Sequence, residues 1–388
     1  MLAMNRGPQG MMLPITDVGE KVSAYIPNPL PPNPPIRWTS TLEKCYDDAL
    51  VWLGRLDTVG DLLPDPDRFV YSYIRKEAVL SSKIEGTQSS LSDLLRFETA
   101  ASQGESPDVQ EVSRYVAALN HGLSRLAEGF PLSLRLIAEM HEKLLTAGRG
   151  AEAGTPGEFR RSQNWIGGTR PGNANFVPPP PHLVPDAMGK LEFFLHDRPQ
   201  ATRPLLKAAL AHVQFETIHP FLDGNGRLGR MLITLILCEQ KILQKPLLYL
   251  SLYLKEHRSD YYSLLDSVRH QGNWEDWLDF FLRGVSHTAN QAVVTAKAVD
   301  HLLESHKKQI GELGRITASA RAVLSQMAER PVSDVAHLSR ATGLSGVTVR
   351  KCLDALSQLG MVREVTDRRR GRIYEYHGYL AILAQGTE

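Results

Sequence analysis

Residues 219–230 read HPFLDGNGRLGR, and an apolar stretch, MLITLILC, follows directly over 231–238. Two glycines around an asparagine (Gly224, Asn225, Gly226) make a compact loop that opens onto a buried helix. Backbone N–H groups at such a helix start form an anion-binding concavity. Arg227 and Arg230 stand three residues apart and add planar forks that grip phosphate oxygens. Asp223 supplies a carboxylate that can hold a magnesium ion shared with those phosphates. Imidazole titrates near neutral pH as a side-chain type, so His219 can take a proton from an attacking hydroxyl. A loop that only capped a helix would account for the glycines, but not for the base, the carboxylate and both arginines together.

The 388-residue chain has room for two or three domains. Its 42% hydrophobic and 22% charged residues are ordinary for a globular protein, and a net charge of +1 excludes a chain-wide attraction to nucleic acid. The cysteines, Cys45, Cys238 and Cys352, are few, odd in number and far apart. That argues against a disulfide framework or zinc site and fits a reducing, cytoplasmic setting. No apolar run approaches membrane-spanning length, since MLITLILC is followed by Glu239, Gln240 and Lys241, so no membrane association is expected. The first residues lack the apolar core of a signal peptide, and methionines at 1, 4, 11 and 12 leave the start codon open.

Along the chain, residues 1–36 read as an extended, Pro-rich and partly disordered segment, with IPNPLPPNPP favouring polyproline geometry. Helical spacing begins near Ser40, and a second helix runs from about Asp67 to a stop at Gly86. Together these fill an N-terminal helical region, 37–107. A core over 108–286 holds further helices at about 108–127, 132–147, 182–196, 203–217, 225–242, 256–270 and 274–286. Its interruption near 154–181 reads as a loop or β-hairpin. Residues 287–314 read as a polar linker helix. Residues 315–388 predict three helices and a two-stranded basic wing, with Ser333, Gly343 and Ser345 as caps: a small α+β winged helix-turn-helix. Eleven basic against seven acidic side chains there admit DNA as a partner, through Arg363, Arg368, Arg369, Arg370 and Arg372, or equally a solvated wing on a protein-binding module.

Three other places carry chemistry. The second helix ends SSKIEG, where Ser81 and Glu85 are four apart and are expected on one face before Gly86. Tyr261 and Tyr262 open the helix near 256–270. His212, Trp165, Trp274 and Trp277 read as packing groups.

The 219–230 run resembles the signature of the Fic family, HxFx(D/E)GNGRxxR, at every fixed position: His219, Phe221, Asp223, Gly224, Asn225, Gly226, Arg227 and Arg230. The resemblance extends from about residue 30 to about residue 285. It implies a mainly α Fic fold with a β-hairpin flap, and transfer of AMP from ATP, with Mg2+, to a Ser, Thr or Tyr hydroxyl of a target protein. A Fic-type relative that transfers phosphate instead lacks the second glycine. By this resemblance His219 is the base, Asp223 the metal carboxylate, and Gly224, Asn225, Gly226, Arg227 and Arg230 the phosphate holders. Tyr262 then packs on adenine, while Arg269 departs from an asparagine found in relatives. SSKIEG resembles the inhibitory motif (S/T)xxxE(G/N), with Ser81, Glu85 and Gly86 in its fixed positions and Glu85 competing for Arg230. Residues 164–181 resemble the flap on which a target segment docks, with Ile166, Gly167 and Gly168 at its start and Phe176 and Val177 on its far side. Removal of AMP at the same site, transfer of another group, and a DNA-binding regulator with a secondary catalytic site remain as alternatives. The sequence is also compatible with a homodimer.

Overall fold

The structure is a computed structural model that describes residues 6–62, 66–99, 106–146, 155–366 and 371–387. Two strands, β1 (Gly10–Asp17) and β2 (Glu20–Pro27), precede the helices. The helices are α1 (Ser40–Leu62), α2 (Pro66–Ile84), α3 (Leu91–Thr99), α4 (Pro107–Ala127), α5 (Leu134–Leu145), α6 (Val184–Leu195), α7 (Pro204–Ile218), α8 (Asn225–Glu239), α9 (Ser251–Glu256), α10 (Arg258–Gln271) and α11 (Trp274–Ile310). Then come α12 (Thr317–Glu329), β3 (Val332–Asp334), α13 (Val335–Thr342), α14 (Gly346–Gln358), β4 (Arg363–Glu364), β5 (Ile373–Glu375) and α15 (His377–Ala384). The fold is mainly helical with small antiparallel sheets, as expected.

Contacts divide the chain into two units, residues 1–54 with 114–288 and residues 55–113 with 289–388. These differ from the linear segments read from sequence, because α1, α4 and α11 each contribute to both. The expected break near residue 287 is absent. Val285, Ala289, Ala292, Val293, Ala296 and Val299 are all buried, so an apolar stripe continues at helical spacing and α11 runs unbroken for 37 residues.

In the first unit α7 and α8 form the centre. Both are buried nearly all round, as suits helices apolar on every face. They pack so closely that a Cβ on Gly229 would lie 2.4 Å from Glu216 Oε1, so any larger residue there would have to displace the Glu216 side chain. Trp277 of α11 is fully buried and donates its indole N–H to the Ala209 carbonyl of α7 (3.0 Å). The extended reading of residues 1–36 needs correction. Residues 10–27 form an antiparallel hairpin, with Met12 opposite Tyr25 and Ile15 opposite Val22, closed by Val18 and Gly19 at positive φ. The Pro-rich run beginning at Pro27 obscured this alternation.

The second unit combines α2 and α3 with the C-terminal segment. Helix α3 was not foreseen, although Ser90 and Asp93 carry its start signal. Asp93 accepts from the Ser90 N–H (3.1 Å), and the Ser90 hydroxyl accepts from the Asp93 N–H (3.1 Å). The C-terminal segment holds the three helices α12, α13 and α14 and a sheet in the order β3-β5-β4, with α15 as an unanticipated addition. Ser345 caps α14 and Gly343 ends α13, as expected. The α13 cap, however, is Asp334; Ser333 lies in β3 and donates to the Arg330 carbonyl. Glu375 is buried and takes both Arg96 of α3 (2.7 Å) and Arg363 of β4 (3.2 Å). Arg372 pairs with Glu364 at 3.5 Å. Arg368, Arg369 and Arg370 lie outside the described residues.

Helix α2 closes where Gly86 adopts φ +105°, with its N–H on the Lys83 carbonyl. Ser81 is fully buried inside this helix, whereas Glu85 lies beyond its last residue and is exposed. Lys83 Nζ bonds the Thr387 carbonyl, tying this helix end to the C-terminal residues.

Candidate functional site

The 219–230 loop joins α7 to α8. His219 terminates α7 in the left-handed region (φ 49°, ψ 62°), a conformation costly for a residue with a Cβ. Phe221 is fully buried and anchors the turn. Asn225, also buried, closes the loop on itself: its Oδ1 accepts from the Phe221 N–H (2.9 Å) and its Nδ2 donates to the Phe221 carbonyl (2.8 Å). Its side chain thus shapes the loop and is not directed to a ligand. Gly224 caps α8 at φ 78°, which opens the first N–H groups of a 15-residue helix.

Asp223 Oδ1 accepts from the Gly224 N–H (2.6 Å) and from Arg227 (3.1 Å), while its side chain stays 49% exposed. Arg227 and Arg230 are only 4% and 3% exposed. Two guanidiniums sunk beside a helix N-terminus make a positive, poorly hydrated site suited to polyphosphate. No cluster of three or more metal-ligating side chains occurs among the described residues. One exposed carboxylate beside a phosphate nest nevertheless fits magnesium delivered with a nucleotide, since that ion keeps waters and takes most of its oxygens from phosphate.

Replacing Asn225 with alanine is expected to destabilise the fold by about 1–3 kcal/mol by stranding the buried Phe221 N–H. It should weaken nucleotide binding as well. Urea denaturation and calorimetric titration with ATP check both effects, and unchanged values would remove the loop-closing role.

Three residues behind the loop were not singled out for it by the sequence reading. His141 of α5 stacks on Phe221 (centroids 3.7 Å apart, planes 13°) and donates Nε2–H to the Asp223 carbonyl (3.1 Å). Its Nδ1 accepts from the Gly157 N–H (2.9 Å), so the imidazole is neutral. Burial holds its pKa down at about 4. His212, read as structural, lies buried between α8 and α10. It donates Nδ1–H to the Gly229 carbonyl (3.0 Å) and accepts at Nε2 from the Tyr261 hydroxyl (2.9 Å). Burial again lowers its pKa to about 4. Arg160 is buried and donates Nε–H to the His219 carbonyl (2.9 Å), while its own N–H bonds the Pro220 carbonyl (2.9 Å). Only the packed structure shows these, because the partners are backbone carbonyls remote in sequence.

The 164–181 segment forms a narrow hairpin with a single bridge, Ile166 to Phe176. Ile166 and Phe176 spend their N–H and C=O groups on each other. The Val177 carbonyl is taken by the Tyr25 N–H of β2 (2.8 Å), and Glu20 accepts from Arg170 and the Gly172 N–H (both 2.7 Å). The N-terminal hairpin therefore covers the far arm. Among the described residues the backbone groups of Trp165 and Gly167 have no protein partner, so the open edge is the near arm. Gly168 sits in the tight turn, where a Cβ would lie 2.4 Å from the Asn173 carbonyl.

Tyr261 is buried, whereas Tyr262 is 42% exposed with the Arg258 guanidinium 5.7 Å from its ring centroid. Ser81, Glu85 and Gly86 belong to the other unit. No described helix is long and apolar enough to cross a membrane.

Comparison with known proteins agrees with this geometry. The profile of the Fic/DOC family N-terminal region matches residues 44–124, and that of the Fic/DOC family matches residues 131–237. A protein adenylyltransferase Fic from Drosophila grimshawi is 32% identical over 149 residues, 38% of this chain and 28% of that protein. The Drosophila virilis protein of the same name is 29% identical over 210 residues, 48% of this chain and 40% of its own length. The match therefore spans well under half of each of these relatives. Among solved structures, a Fic family protein from Desulfovibrio desulfuricans superimposes with a TM-score of 0.57 at 22% identity, over 88% of this chain and 97% of that one.

Proposed function

Because the chain carries the paired N-terminal and Fic domains of the Fic/DOC family, we propose that it transfers AMP from MgATP to a Ser, Thr or Tyr hydroxyl of a protein. The observation that carries this reading is the left-handed Gly224 opening α8 beside two buried arginines, with His219 presented from the preceding helix end. His219 deprotonates the hydroxyl. The oxygen attacks the α-phosphorus, the bond to the β-phosphate oxygen breaks, and pyrophosphate leaves. The N–H groups of Gly224, Asn225 and Gly226, with Arg227 and Arg230, hold the phosphates and stabilise the charge that develops on them. Asp223 takes the magnesium of MgATP, and Tyr262 borders the base. A target segment pairs with the open edge at Trp165 and Gly167. Incubation with ATP labelled at the α- or γ-phosphate tests the reaction: label should reach protein from the α position only. Label from the γ position would mean phosphate transfer, and release of AMP from modified protein without net addition would mean removal.

The resemblance of SSKIEG to the inhibitory motif supports autoinhibition, with Glu85 competing with the γ-phosphate for Arg230. A charged hydrogen bond is worth about 1.5–3 kcal/mol, so Glu85→Gly is expected to raise transfer roughly tenfold to a hundredfold. Arg230→Ala should lose activity, and Glu85→Gly should not restore it. A Glu85→Gly chain no faster than wild type at saturating MgATP would remove the brake.

A further inference from the structure

The far arm of the 164–181 hairpin is tied to the end of α7 by two buried arginines drawn from different parts of the chain. Arg160 donates to the His219 carbonyl (2.9 Å), to the Ser162 carbonyl (3.3 Å) and, through its other terminal nitrogen, to the Pro179 carbonyl. One guanidinium thus spans Ser162 ahead of the hairpin, Pro179 on its far arm and the backbone of the proposed base. Arg269 of α10 lies with its guanidinium 4.0 Å from the Phe176 ring centroid. It donates Nε–H to the Thr217 hydroxyl (3.1 Å) and reaches the Glu216 carbonyl at 3.5 Å. Its own carbonyl accepts from the Tyr25 hydroxyl (2.8 Å) and the Gln9 N–H (2.9 Å), which brings the N-terminal hairpin into the same knot.

Arg160 has no acidic neighbour acting on it, whereas the Glu216 and Asp266 carboxylates act on Arg269 from beyond contact distance and favour its charge. For Arg160, a buried cation held by carbonyls alone is expensive, and an apolar side chain of similar volume would ordinarily stabilise the fold better. Burial lowers both groups from the ordinary arginine range, Arg160 to about 10. What an apolar residue cannot do is bond several carbonyls in fixed directions at once. Lysine cannot do so either, since its donors radiate from one point. The contacts made are those that fix the hairpin against residues 216–219. Arg269, whose position departs from the family asparagine, lies beneath the hairpin.

We propose that Arg160 and Arg269 are positioning residues that hold the target-docking hairpin in register with His219, so that a docked hydroxyl reaches the base in preference to water. This rests on the AMP-transfer reading. Two outcomes compete for the nucleotide: ATP and a protein hydroxyl give AMP–protein and pyrophosphate, while ATP and water give AMP and pyrophosphate. Small misplacement of the acceptor lowers the first without touching nucleotide binding.

The test uses the full chain as wild type, Arg160→Lys, Arg269→Lys and Phe176→Leu. The last removes the ring under Arg269 and keeps both arginines, and it decides the matter if a lysine variant fails to fold. α-Labelled ATP and a pooled Ser/Thr/Tyr peptide library give the ratio of AMP on peptide to free AMP. That ratio is expected to fall on the order of tenfold in the arginine variants and less in Phe176→Leu, with affinity for a non-hydrolysable ATP analogue changed by less than about twofold. Hydrogen exchange at the Ile166 and Phe176 amides should quicken on the order of tenfold as the hairpin loosens. An unchanged ratio in folded variants overturns the proposal, as does a loss of analogue binding parallel to the loss of transfer. If wild type transfers no AMP to any acceptor, the functional reading fails. Exchange then decides the positioning role by itself, and unchanged hairpin exchange overturns it.

Discussion

His219→Ala is expected to lower AMP transfer by at least about a hundredfold while leaving ATP affinity within about twofold. General-base assistance is worth roughly a hundredfold to ten-thousandfold, so the rate effect should be large. The binding effect should be small for a structural reason. The loop proposed to hold phosphate is closed by Asn225 on Phe221, and the His219 backbone gives its N–H to Phe215 and its carbonyl to Arg160. Alanine retains both, although it too must hold φ near 49°. Single-turnover transfer to protein, with ATP binding followed by calorimetry, separates the two. Transfer kept above a hundredth of the wild-type rate would exclude His219 as the base.

A second large effect concerns acid. His141 and His212 are neutral in the fold, with pKa values held near 4 by burial against an ordinary value of 6.5. The unfolded chain binds a proton at each as pH falls below about 6.5, and the folded chain does not until about 4. The stability each contributes is therefore complete above about pH 6.5 and is lost progressively as pH falls towards 4. The loss is on the order of 3 kcal/mol per histidine, an upper figure for groups this buried. Two such losses rival the whole stability of a typical domain. Urea denaturation at pH 7.0 and pH 5.0 should show a drop of several kcal/mol. His141→Gln should remove about half of the pH dependence, and a pH-independent midpoint would show that neither imidazole is held neutral. Because both histidines back the 219–230 loop, nucleotide binding should weaken over the same range.

Local order explains which features were legible. Most helices of the core were readable because apolar residues recur at helical spacing, and the ends of α2 and α13 because Gly86 and Gly343 adopt positive φ. Helix α3 carries a start signal at Ser90 and Asp93, whose side chains bond each other's N–H groups. The strands β1 and β2 were hidden by prolines within and beyond them. Ser81 is buried inside α2, and Glu85 follows its last residue, Ile84, and is exposed.

The amino-acid sequence by itself determined the mainly helical class and which side chains the 219–230 loop brings together. Histidine, carboxylate, glycines and arginines are covalent neighbours there, and their spacing is sufficient to constrain their arrangement. Tertiary structure alone decided the two-unit division and the continuity of α11, since both depend on what buries each apolar stripe. It also decided that Asn225 is spent on Phe221, that the N-terminal hairpin covers the far arm at Val177, and that His141, Arg160 and Arg269 brace the loop and hairpin. Each of these contacts ends on a backbone carbonyl or N–H or an aromatic face. Such groups are common along the chain and carry no residue-specific signature until packing brings one of them within hydrogen-bond reach.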